Sequence, residues 1–236
     1  MNNGKLYLIP VPLGLTSTVS VLPHPVIDCA KKLKYFIAEN AKSARAFLKS
    51  LPSDTPLQEI EIRELNEHTS HSALPGLLTP LIEGINAGLI SEAGCPAVAD
   101  PGGNLVALAH ETGIQVIPMV GPSSILLALM SSGLSGQNFA FHGYLPAKAE
   151  DRQIKLRELE KDSRKEKRTH IFIETPYRNM QMLETLISTC APNTKICVAT
   201  DLTLGSESVM TCSAREWRRR GLPSIDRRPT VFLLQA

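Results

Sequence analysis

The sequence predicts an α/β fold with a mainly parallel N-terminal sheet and a mixed C-terminal sheet. In the first half of the 236 residues, short apolar runs alternate with segments whose apolar side chains recur at helical spacing. This alternation is typical of parallel strands joined by right-handed crossover helices. In the second half several strand-like runs follow one another closely, so antiparallel pairs are expected there. We therefore expect two domains, residues 1–120 and 121–236.

The first domain is predicted to begin with a strand at 5–9, which ends in the Pro-Val-Pro-Leu-Gly turn at 10–14. Prolines cannot donate to a sheet ladder, so this turn is a loop at a strand end. The remaining predicted strands are 34–38, 60–65, 89–90 and 115–120, and the predicted helices are 25–32, 41–51, 77–87, 104–112 and 125–130. Gly88 is expected to end the helix over 77–87 as its C-cap.

The second domain is predicted to carry a long charged helix at 150–167 and a second helix at 180–189. Its predicted strands are 139–145, 170–173, 195–200, 209–212 and 230–235. A polar turn over 174–178 leaves the strand at 170–173.

Composition places the chain among ordinary globular proteins. Its five cysteines include no C-x-x-C pair, which argues against a disulfide framework and a zinc ribbon. His68 and His71 lack further ligands nearby, so no metal site is expected. No apolar run approaches bilayer length and no signal core follows the N-terminus. We therefore expect a cytoplasmic protein.

Charge is unevenly distributed, with acidic residues in excess in the first half and basic residues in the second. This distribution suits an anionic partner such as nucleic acid, although solvated charged faces explain it equally well. Trp217 lies among these charges and is expected to anchor the core rather than to stack on a base. The arginines clustered near the C-terminus are Arg215, Arg218, Arg219, Arg220, Arg227 and Arg228.

Common catalytic signatures are missing from the sequence, including the phosphate loop, G-x-G-x-x-G, G-x-S-x-G and H-E-x-x-H. What remains is a set of loops at strand ends whose Gly and Pro content fits close backbone contact with a small polar ligand. In open α/β sheets, ligands bind outside the carboxyl ends of strands. These loops are residues 10–14, 91–103, 121–124, 144–146 and 174–178.

Five ordered motifs together resemble the tetrapyrrole methylase superfamily. They are Pro-Val-Pro-Leu-Gly at 10–14, Ser-Glu-Ala-Gly-Cys-Pro with Asp-Pro-Gly at 91–102, Gly-Pro-Ser-Ser at 121–124, Phe-His-Gly-Tyr-Leu-Pro at 141–146 and Glu-Thr-Pro-Tyr-Arg at 174–178. Within that superfamily the pattern is most similar to the RsmI-type enzymes, which methylate the ribose 2′-oxygen of a cytidine in small-subunit ribosomal RNA.

The resemblance implies a two-domain tetrapyrrole-methylase-like fold, usually a homodimer, with S-adenosyl-L-methionine in the interdomain cleft. By motif position, it implies that the first domain holds the cofactor largely through backbone groups and that the second encloses the adenosine. The implied cofactor-binding residues are Pro12, Ser91, Glu92, Ala93, Gly94, Pro96, Asp100, Gly121, Pro122, Ser123, Tyr144, Leu145, Ala199 and Leu202. The implied substrate-binding residues are Gly14, Glu39, Glu174, Tyr177, Arg178 and Asp201.

Several motifs depart from the superfamily pattern in their charged residues. Residues 39–42 read Glu-Asn-Ala-Lys where Glu-Asp-Thr-Arg is usual, and 199–204 read Ala-Thr-Asp-Leu-Thr-Leu where Ala-Arg-Glu-Leu-Thr-Lys is usual. Ser-Asp has become Ser-Glu at 91–92, and His-Arg has become Tyr-Arg at 177–178. Lost arginines remove charge-assisted hydrogen bonds. The cofactor loops are therefore kept better than the polar residues around them.

Three functions remain open from the sequence. The first is methylation of a ribose in small-subunit rRNA, the second is methylation of a small molecule such as a tetrapyrrole, and the third is a cofactor-binding module without catalysis. No general base is identified. Asp100 either braces its turn or touches ligand, and Glu174 with Arg178 either binds substrate or forms a structural ion pair.

Overall fold

A computed structural model describes residues 3–52 and 56–236. The chain divides into two compact units, Met1–Ser123 and Ser124–Ala236. The predicted domains of residues 1–120 and 121–236 stay a prediction. Within the described ranges, none of the helices combines the length and the apolar character needed to cross a bilayer.

The first unit contains a five-stranded sheet in which every neighbouring pair is parallel, so the predicted parallel sheet is confirmed. The strand order is β3-β2-β4-β1-β5. The carboxyl ends of all five strands therefore lie at one edge, where unpaired backbone groups are available to a ligand. The strands are β1 (Lys5–Leu8), β2 (Tyr35–Ala38), β3 (Glu61–Glu64), β4 (Ala87–Ile90) and β5 (Gln115–Pro118).

Helices and loops cover both faces of this sheet. One core cluster includes Phe36 and Ile90, and a second includes Ile37 and Leu89, so neighbouring residues of a strand enter different cores. Strands buried on both faces become continuous apolar runs, as β2 and β4 show. The helices of this unit are α1 (Thr18–Val21), α2 (His24–Lys32), α3 (Ala41–Ser50), α4 (Leu74–Ile82) and α5 (Gly103–Glu111).

The prediction of a helix over 77–87 capped by Gly88 is wrong. Helix α4 ends at Ile82, and Gly84 takes the left-handed conformation with φ +94°. Gly88 instead lies inside β4, where an added Cβ would come within 2.7 Å of the Phe36 ring. Helical spacing of apolar residues continued through Ile85, which concealed the turn that Gly84 makes.

The second unit contains a five-stranded mixed sheet in the order β6-β7-β10-β8-β9, which confirms the predicted mixed sheet. Strands β6 and β7 are parallel, and the other neighbouring pairs are antiparallel. This arrangement brings the carboxyl ends of β6, β7 and β8 to one edge. The strands are β6 (Phe139–Tyr144), β7 (Thr169–Ile173), β8 (Lys195–Thr200), β9 (Ser208–Ser213) and β10 (Thr230–Gln235).

The helices of the second unit include one that the sequence analysis missed. Helix α9 begins with a capping box, in which Ser213 and Glu216 bond each other's backbone N–H groups. The Ser-x-x-Glu spacing was the available signal. Trp217 of α9 is buried and its Nε1 donates to the Ile196 carbonyl at 3.0 Å, which confirms its predicted role as a core anchor. The helices are α6 (Ser124–Ser132), α7 (Ala149–Glu166), α8 (Asn179–Thr189) and α9 (Ala214–Arg219).

Candidate functional site

The loop after β4 is tied to the loop after β1. The Val11 N–H donates to the Gly94 carbonyl at 2.9 Å, and the Gly94 N–H donates back to the Val11 carbonyl at 3.1 Å. The buried Ser91 hydroxyl lies 3.2 Å from the same Gly94 carbonyl. Two loops that are far apart in sequence therefore form one backbone surface at the carboxyl edge of the first sheet.

The turn at Gly121 and Pro122 packs against the same two loops. The Cys95 thiol lies 3.5 Å from the Pro122 carbonyl. At Gly121 an added Cβ would lie 2.3 Å from Cβ of Pro10, so only glycine permits this approach. The structure thus brings together three of the strand-end loops that the sequence analysis identified.

Backbone strain is concentrated in the loop over 91–103. Ala97 and Ala99 both have φ +63°, and Gly94 has φ +75°. For a residue with a Cβ this conformation costs on the order of 1 kcal/mol, and such strain clusters at ligand sites. The surrounding fold therefore holds this loop in a conformation that the alanines would not adopt alone.

Carboxylates line a shallow depression beside this loop. Its lining includes Glu39, Ser91, Pro96 and Asp100. Burial and the nearby Glu39 carboxylate raise the pKa of Asp100 to about 6, against a smaller opposing effect of the Ser91 hydroxyl. The pKa of Glu39 is also raised, first by burial and then by Glu92. Mutual repulsion of these groups makes the depression favourable for a cation.

The unusual Asn40 next to this depression has a structural role. Its Oδ1 accepts hydrogen bonds from the backbone N–H groups of Lys42 and Ser43, so it caps helix α3. The Ser43 hydroxyl in turn donates to Glu92 Oε1 at 2.9 Å. The departure from the superfamily pattern at Asn40 therefore keeps the start of α3 and removes one carboxylate from this edge.

In the second unit, the segment Tyr144–Leu145 follows an irregular end of strand β6. The pairing of β6 with β7 shifts register between Phe141 and Tyr144, and Gly143 has φ +64°. Tyr144 is exposed, whereas Leu145 is buried in the core. Successive side chains of an extended segment point to opposite faces, so these two lie in different environments.

Arg152 of α7 holds the turn that follows this segment. Its side chain is buried, and Nη1 donates to the Ala147 carbonyl at 3.0 Å while Nη2 donates to the Thr185 hydroxyl at 3.3 Å. No carboxylate accepts a hydrogen bond from this guanidinium within the described chain. The sequence analysis did not identify Arg152, because the long mixed-charge helix gave no sign that one of its arginines turns inward.

Two histidines join the neighbouring strands β6 and β7, and one of them faces helix α7. His142 Nε2 and His170 Nδ1 are 2.8 Å apart, and His170 is buried. His170 Nε2 faces Asp162 Oδ2 at 3.2 Å without hydrogen-bond geometry. Burial lowers the pKa of His170 to about 4, as His142 and Arg168 also do, while Asp162 opposes the shift. Burial also lowers the pKa of His142, so both rings are neutral at pH 7, and one facing nitrogen donates its hydrogen to the other.

The buried histidine predicts a loss of stability in acid. Unfolded His170 takes a proton near its ordinary pKa of 6.5, but folded His170 does so only near 4. The contribution of neutral His170 to the free energy of unfolding is therefore fully present above pH 6.5, and it is lost as the pH falls toward 4. Between about pH 7 and pH 4.5 we expect the wild type to lose about 2 kcal/mol more unfolding free energy than His170→Gln.

Urea denaturation at the two pH values checks this expectation. His68→Gln serves as the control, because it removes a histidine whose side chain is exposed. Equal acid losses in the wild type and His170→Gln would contradict the assignment of this loss to His170.

The turn after β7 contains the ion pair that the sequence allowed as one of two alternatives. Glu174 is buried, and its Oε1 accepts from the Thr175 N–H at 2.7 Å and from Arg178 Nε and Nη2 at 3.0 and 2.7 Å. Its other oxygen, Oε2, has no hydrogen-bond partner among the described residues. The Arg178 guanidinium lies 5.4 Å from the ring centroid of the exposed Tyr177. Glu174 therefore fixes Arg178, which in turn orients Tyr177.

Strand pairing, burial and side-chain hydrogen bonds hold the segment at the end of β8. Ala199 is buried and paired with Val231, and Leu202 is buried. Asp201 has φ +52°, and its Oδ2 accepts from Ser206 Oγ at 2.7 Å and from Arg228 Nε at 2.8 Å. Asp201 thereby stabilises the turn between β8 and β9.

The described residues contain no group of three or more His, Cys, Asp or Glu side chains placed to hold a metal ion. In the first unit, the structure brings the segments around Pro12, Ser91 and Gly121 together, with Glu39 beside them. In the second unit, Tyr144 lies near Glu174, Tyr177 and Arg178, because β6 and β7 are paired at Tyr144 and Ile173.

Curated relatives match most of the chain, although no protein-family model matches it. The Ribosomal RNA small subunit methyltransferase I of Vibrio cholerae serotype O1 is 29% identical over 204 residues, covering 86% of this chain and 67% of that protein. The protein of the same name from Synechocystis sp. is 32% identical over 200 residues, covering 85% and 67%. The chain thus spans about two thirds of the length of these relatives.

Solved structures of proteins with lower sequence identity to this chain have the same fold. The methyltransferase CobJ superposes with a TM-score of 0.65 at 17% identity, covering 98% of this chain and 94% of that one. Uroporphyrin-III-C-methyltransferase from Thermus thermophilus gives a TM-score of 0.56 at 16% identity, covering 98% and 92%. At these identities the likeness shows the fold alone, and it confirms the predicted tetrapyrrole-methylase-like architecture.

Proposed function

The chain belongs to the ribosomal RNA small subunit methyltransferase I family, a family of methyltransferases, and from that premise we propose that it methylates a ribose 2′-oxygen in small-subunit rRNA with S-adenosyl-L-methionine as donor. The observation that carries this proposal is the joined surface of the three loops after β1, β4 and β5, with a carboxylate-lined depression beside it.

The first unit fits the methyl donor in two respects. The glycine contact at Gly121 lets the loop after β5 pack on the loop after β1, so both loops and the strained loop over 91–103 present backbone groups at the carboxyl edge of the sheet. The depression around Asp100 favours positive charge, and the donor is a sulfonium cation with an ammonium group. In this unit we assign cofactor binding to Pro12, Ser91, Glu92, Ala93, Gly94, Pro96, Asp100, Gly121, Pro122 and Ser123.

The second unit supplies the remaining assigned residues. We assign cofactor binding to Tyr144, Leu145, Ala199 and Leu202. The buried Leu145, Ala199 and Leu202 would act through their backbone, whereas the exposed Tyr144 offers its ring. We assign substrate binding to Gly14, Glu39, Glu174, Tyr177, Arg178 and Asp201. Because Glu174 and Asp201 are already bonded to arginines of this chain, they would act by holding the turns after β7 and β8 in place.

The donor, when bound, supplies an electrophilic methyl group. The chain contributes position, since holding a methyl group in line with an oxygen about 3 Å away supplies most of the rate. The strained loop and the glycine contact hold the backbone surface rigid, and the carboxylates provide the charge. Homodimer formation, which the resemblance implies, stays a prediction.

We expect Asp100→Asn to stabilise the chain and weaken donor binding. The folded-state pKa of Asp100 is about 6 against an ordinary value of 3.8, so its ionisation destabilises the folded chain as the pH rises from 4 through 6. Removing the charge should therefore raise the unfolding free energy at neutral pH by about 1 kcal/mol, after allowing for solvent screening.

Thermal melts over pH and calorimetry with S-adenosyl-L-methionine test both halves of this prediction. The gain of the variant should disappear at about pH 3, below both pKa values, where the wild-type carboxyl is protonated in the folded and the unfolded chain. Asp28→Asn is the control, because Asp28 is exposed on α2. A variant that binds the donor as tightly as the wild type would contradict the role of Asp100.

The activity itself is tested by transfer of a labelled methyl group. The chain is incubated with the labelled donor and small ribosomal subunits from cells lacking the methyltransferase, and separately with the protein-free rRNA. Label at a ribose 2′-oxygen, absent with Gly121→Ala, supports the proposal. Transfer to a porphyrinoid acceptor alone would overturn the RNA assignment. Donor binding without methyl transfer to any acceptor would overturn the proposal in favour of a cofactor-binding module without catalysis.

A further inference from the structure

Tyr177 presents an aromatic ring at the carboxyl edge of the second sheet. It lies in the single helical turn Pro176–Arg178 that follows β7, and 67% of its surface is exposed. Its ring is therefore available to a ligand that stacks on it.

The Tyr177 ring lies beside an arginine that is itself held by hydrogen bonds. The Arg178 guanidinium lies 5.4 Å from the ring centroid, and the buried Glu174 holds that guanidinium with two hydrogen bonds. An arginine with its own carboxylate partner is largely neutralised, so it serves to hold the ring rather than to attract an anion. A base that stacks on Tyr177 therefore meets a preorganised surface.

Arg227 is tied to the same turn from a distant part of the chain. Its backbone N–H donates to the Pro176 carbonyl at 3.1 Å, and its φ is +57°. The side chain is 85% exposed, and its only ion pair among the described residues is a 3.9 Å contact with the adjacent Asp226. This backbone contact anchors Arg227 to the turn that carries Tyr177, while its long side chain stays exposed to solvent.

Other arginines of the C-terminal cluster are already used within the chain. Arg218 donates to the carbonyls of Ile187 and Cys190, where helix α8 ends. Arg228 donates to Asp201 and to the carbonyls of Ser224 and Ser206. These two stabilise the fold, whereas the exposed Arg227 is bonded through its backbone to the turn that carries Tyr177.

We propose that Tyr177 and Arg227 form a binding platform for single-stranded RNA, on which Tyr177 stacks a base and Arg227 binds a neighbouring phosphate. Stacking on aromatic rings and arginine contacts to phosphate are the usual means by which proteins hold unpaired RNA. This proposal rests on the proposed RNA substrate and adds how the chain holds it. Arg178 is a positioning residue, because it acts through the tyrosine ring.

Substitutions of Tyr177 and Arg227 should affect RNA binding in different ways. Loss of stacking weakens binding at every salt concentration, and Tyr177→Ala should raise the Kd by about tenfold or more, whereas Tyr177→Phe should keep most of the affinity. Loss of a phosphate contact changes the salt dependence, and Arg227→Gln should reduce the slope of log K against log salt by about 0.7.

Fluorescence anisotropy with a labelled single-stranded RNA of mixed sequence, measured over a salt series, is the experiment. The same RNA annealed to its complement is the competing probe, and weaker binding of the duplex is expected. Arg215→Gln is the matched control, because Arg215 is an exposed arginine of α9 away from this turn. Circular dichroism and donor binding of each variant establish that it is folded.

The outcomes separate this proposal from the proposed function. If the wild type binds RNA and transfers methyl groups but Tyr177→Ala binds RNA equally well, the platform is overturned and the function stands. Weakened donor binding with unchanged RNA binding in Tyr177→Ala would also overturn it, since the ring would then hold the cofactor. A wild type that neither binds nor methylates RNA overturns both proposals.

Discussion

Gly121→Ala is expected to lower the free energy of unfolding by about 3 kcal/mol and to abolish measurable donor binding. The new Cβ would lie 2.3 Å from Cβ and 2.7 Å from Cγ of Pro10. Neither atom can move alone, because both belong to a rigid ring. The loops after β1 and β5 must therefore separate, and a displacement of about 1 Å costs on the order of a hundredfold in rate.

Urea denaturation and calorimetry with S-adenosyl-L-methionine check this expectation. Gly76→Ala is the matched control, because Gly76 lies in helix α4 with no atom within 4 Å of the added Cβ. That substitution should stabilise the chain by about 0.5 to 1 kcal/mol. Wild-type stability and wild-type donor affinity in Gly121→Ala would show that the packing of the two loops does not matter.

Glu174→Ala is expected to cost about 3 kcal/mol of unfolding free energy and to reduce methyl transfer to RNA strongly. Its Oε1 accepts three hydrogen bonds from Thr175 and Arg178 with donor–acceptor distances of 3.0 Å or less. Without the carboxylate, the Thr175 N–H and the partly buried guanidinium lose their acceptor. The ring of Tyr177 then loses the group that orients it.

The isosteric variant separates charge from shape at this position. Glu174→Gln keeps a carbonyl oxygen for the Thr175 N–H, but it places an amide where the unpaired Oε2 stands, so a smaller loss of about 1 kcal/mol is expected. Glu158→Ala is the control, because Glu158 forms an exposed pair with Lys155 and should change stability by less than about 0.5 kcal/mol. Equal effects of Glu174→Ala and Glu158→Ala would contradict the structural importance of Glu174.

The sequence predicted the bounds of helices and strands well where each apolar pattern belonged to a single element. Strand β8 was predicted at its observed bounds, and α5 within one residue of its bounds, because Gly113 follows it with φ +70°. The prediction failed at α4, where apolar spacing continued past the turn at Gly84. A periodic pattern describes which side chains are apolar, and it does not distinguish a helix from a helix followed by a strand.

The sequence predicted which loops form the candidate site, but it did not predict which side chains bond each other there. Gly and Pro at strand ends identified the three loops that the first unit brings together. By contrast, nothing in the sequence near Asp201 indicated that Arg228 would bond it, and nothing near His142 indicated His170. Each of these contacts joins different strands or loops, so it depends on strand order and register.

The sequence by itself determined that this chain is an α/β protein with ligand loops at strand ends, since those properties follow from local periodicity and from the backbone conformations of Gly and Pro. The tertiary structure alone decided which charged groups are free. Arg218 and Arg228 donate hydrogen bonds within the fold, the Arg227 side chain stays exposed, and burial near other carboxylates raises the pKa of Asp100. Desolvation and pairing depend on distances between remote residues, and these exist only in the folded chain.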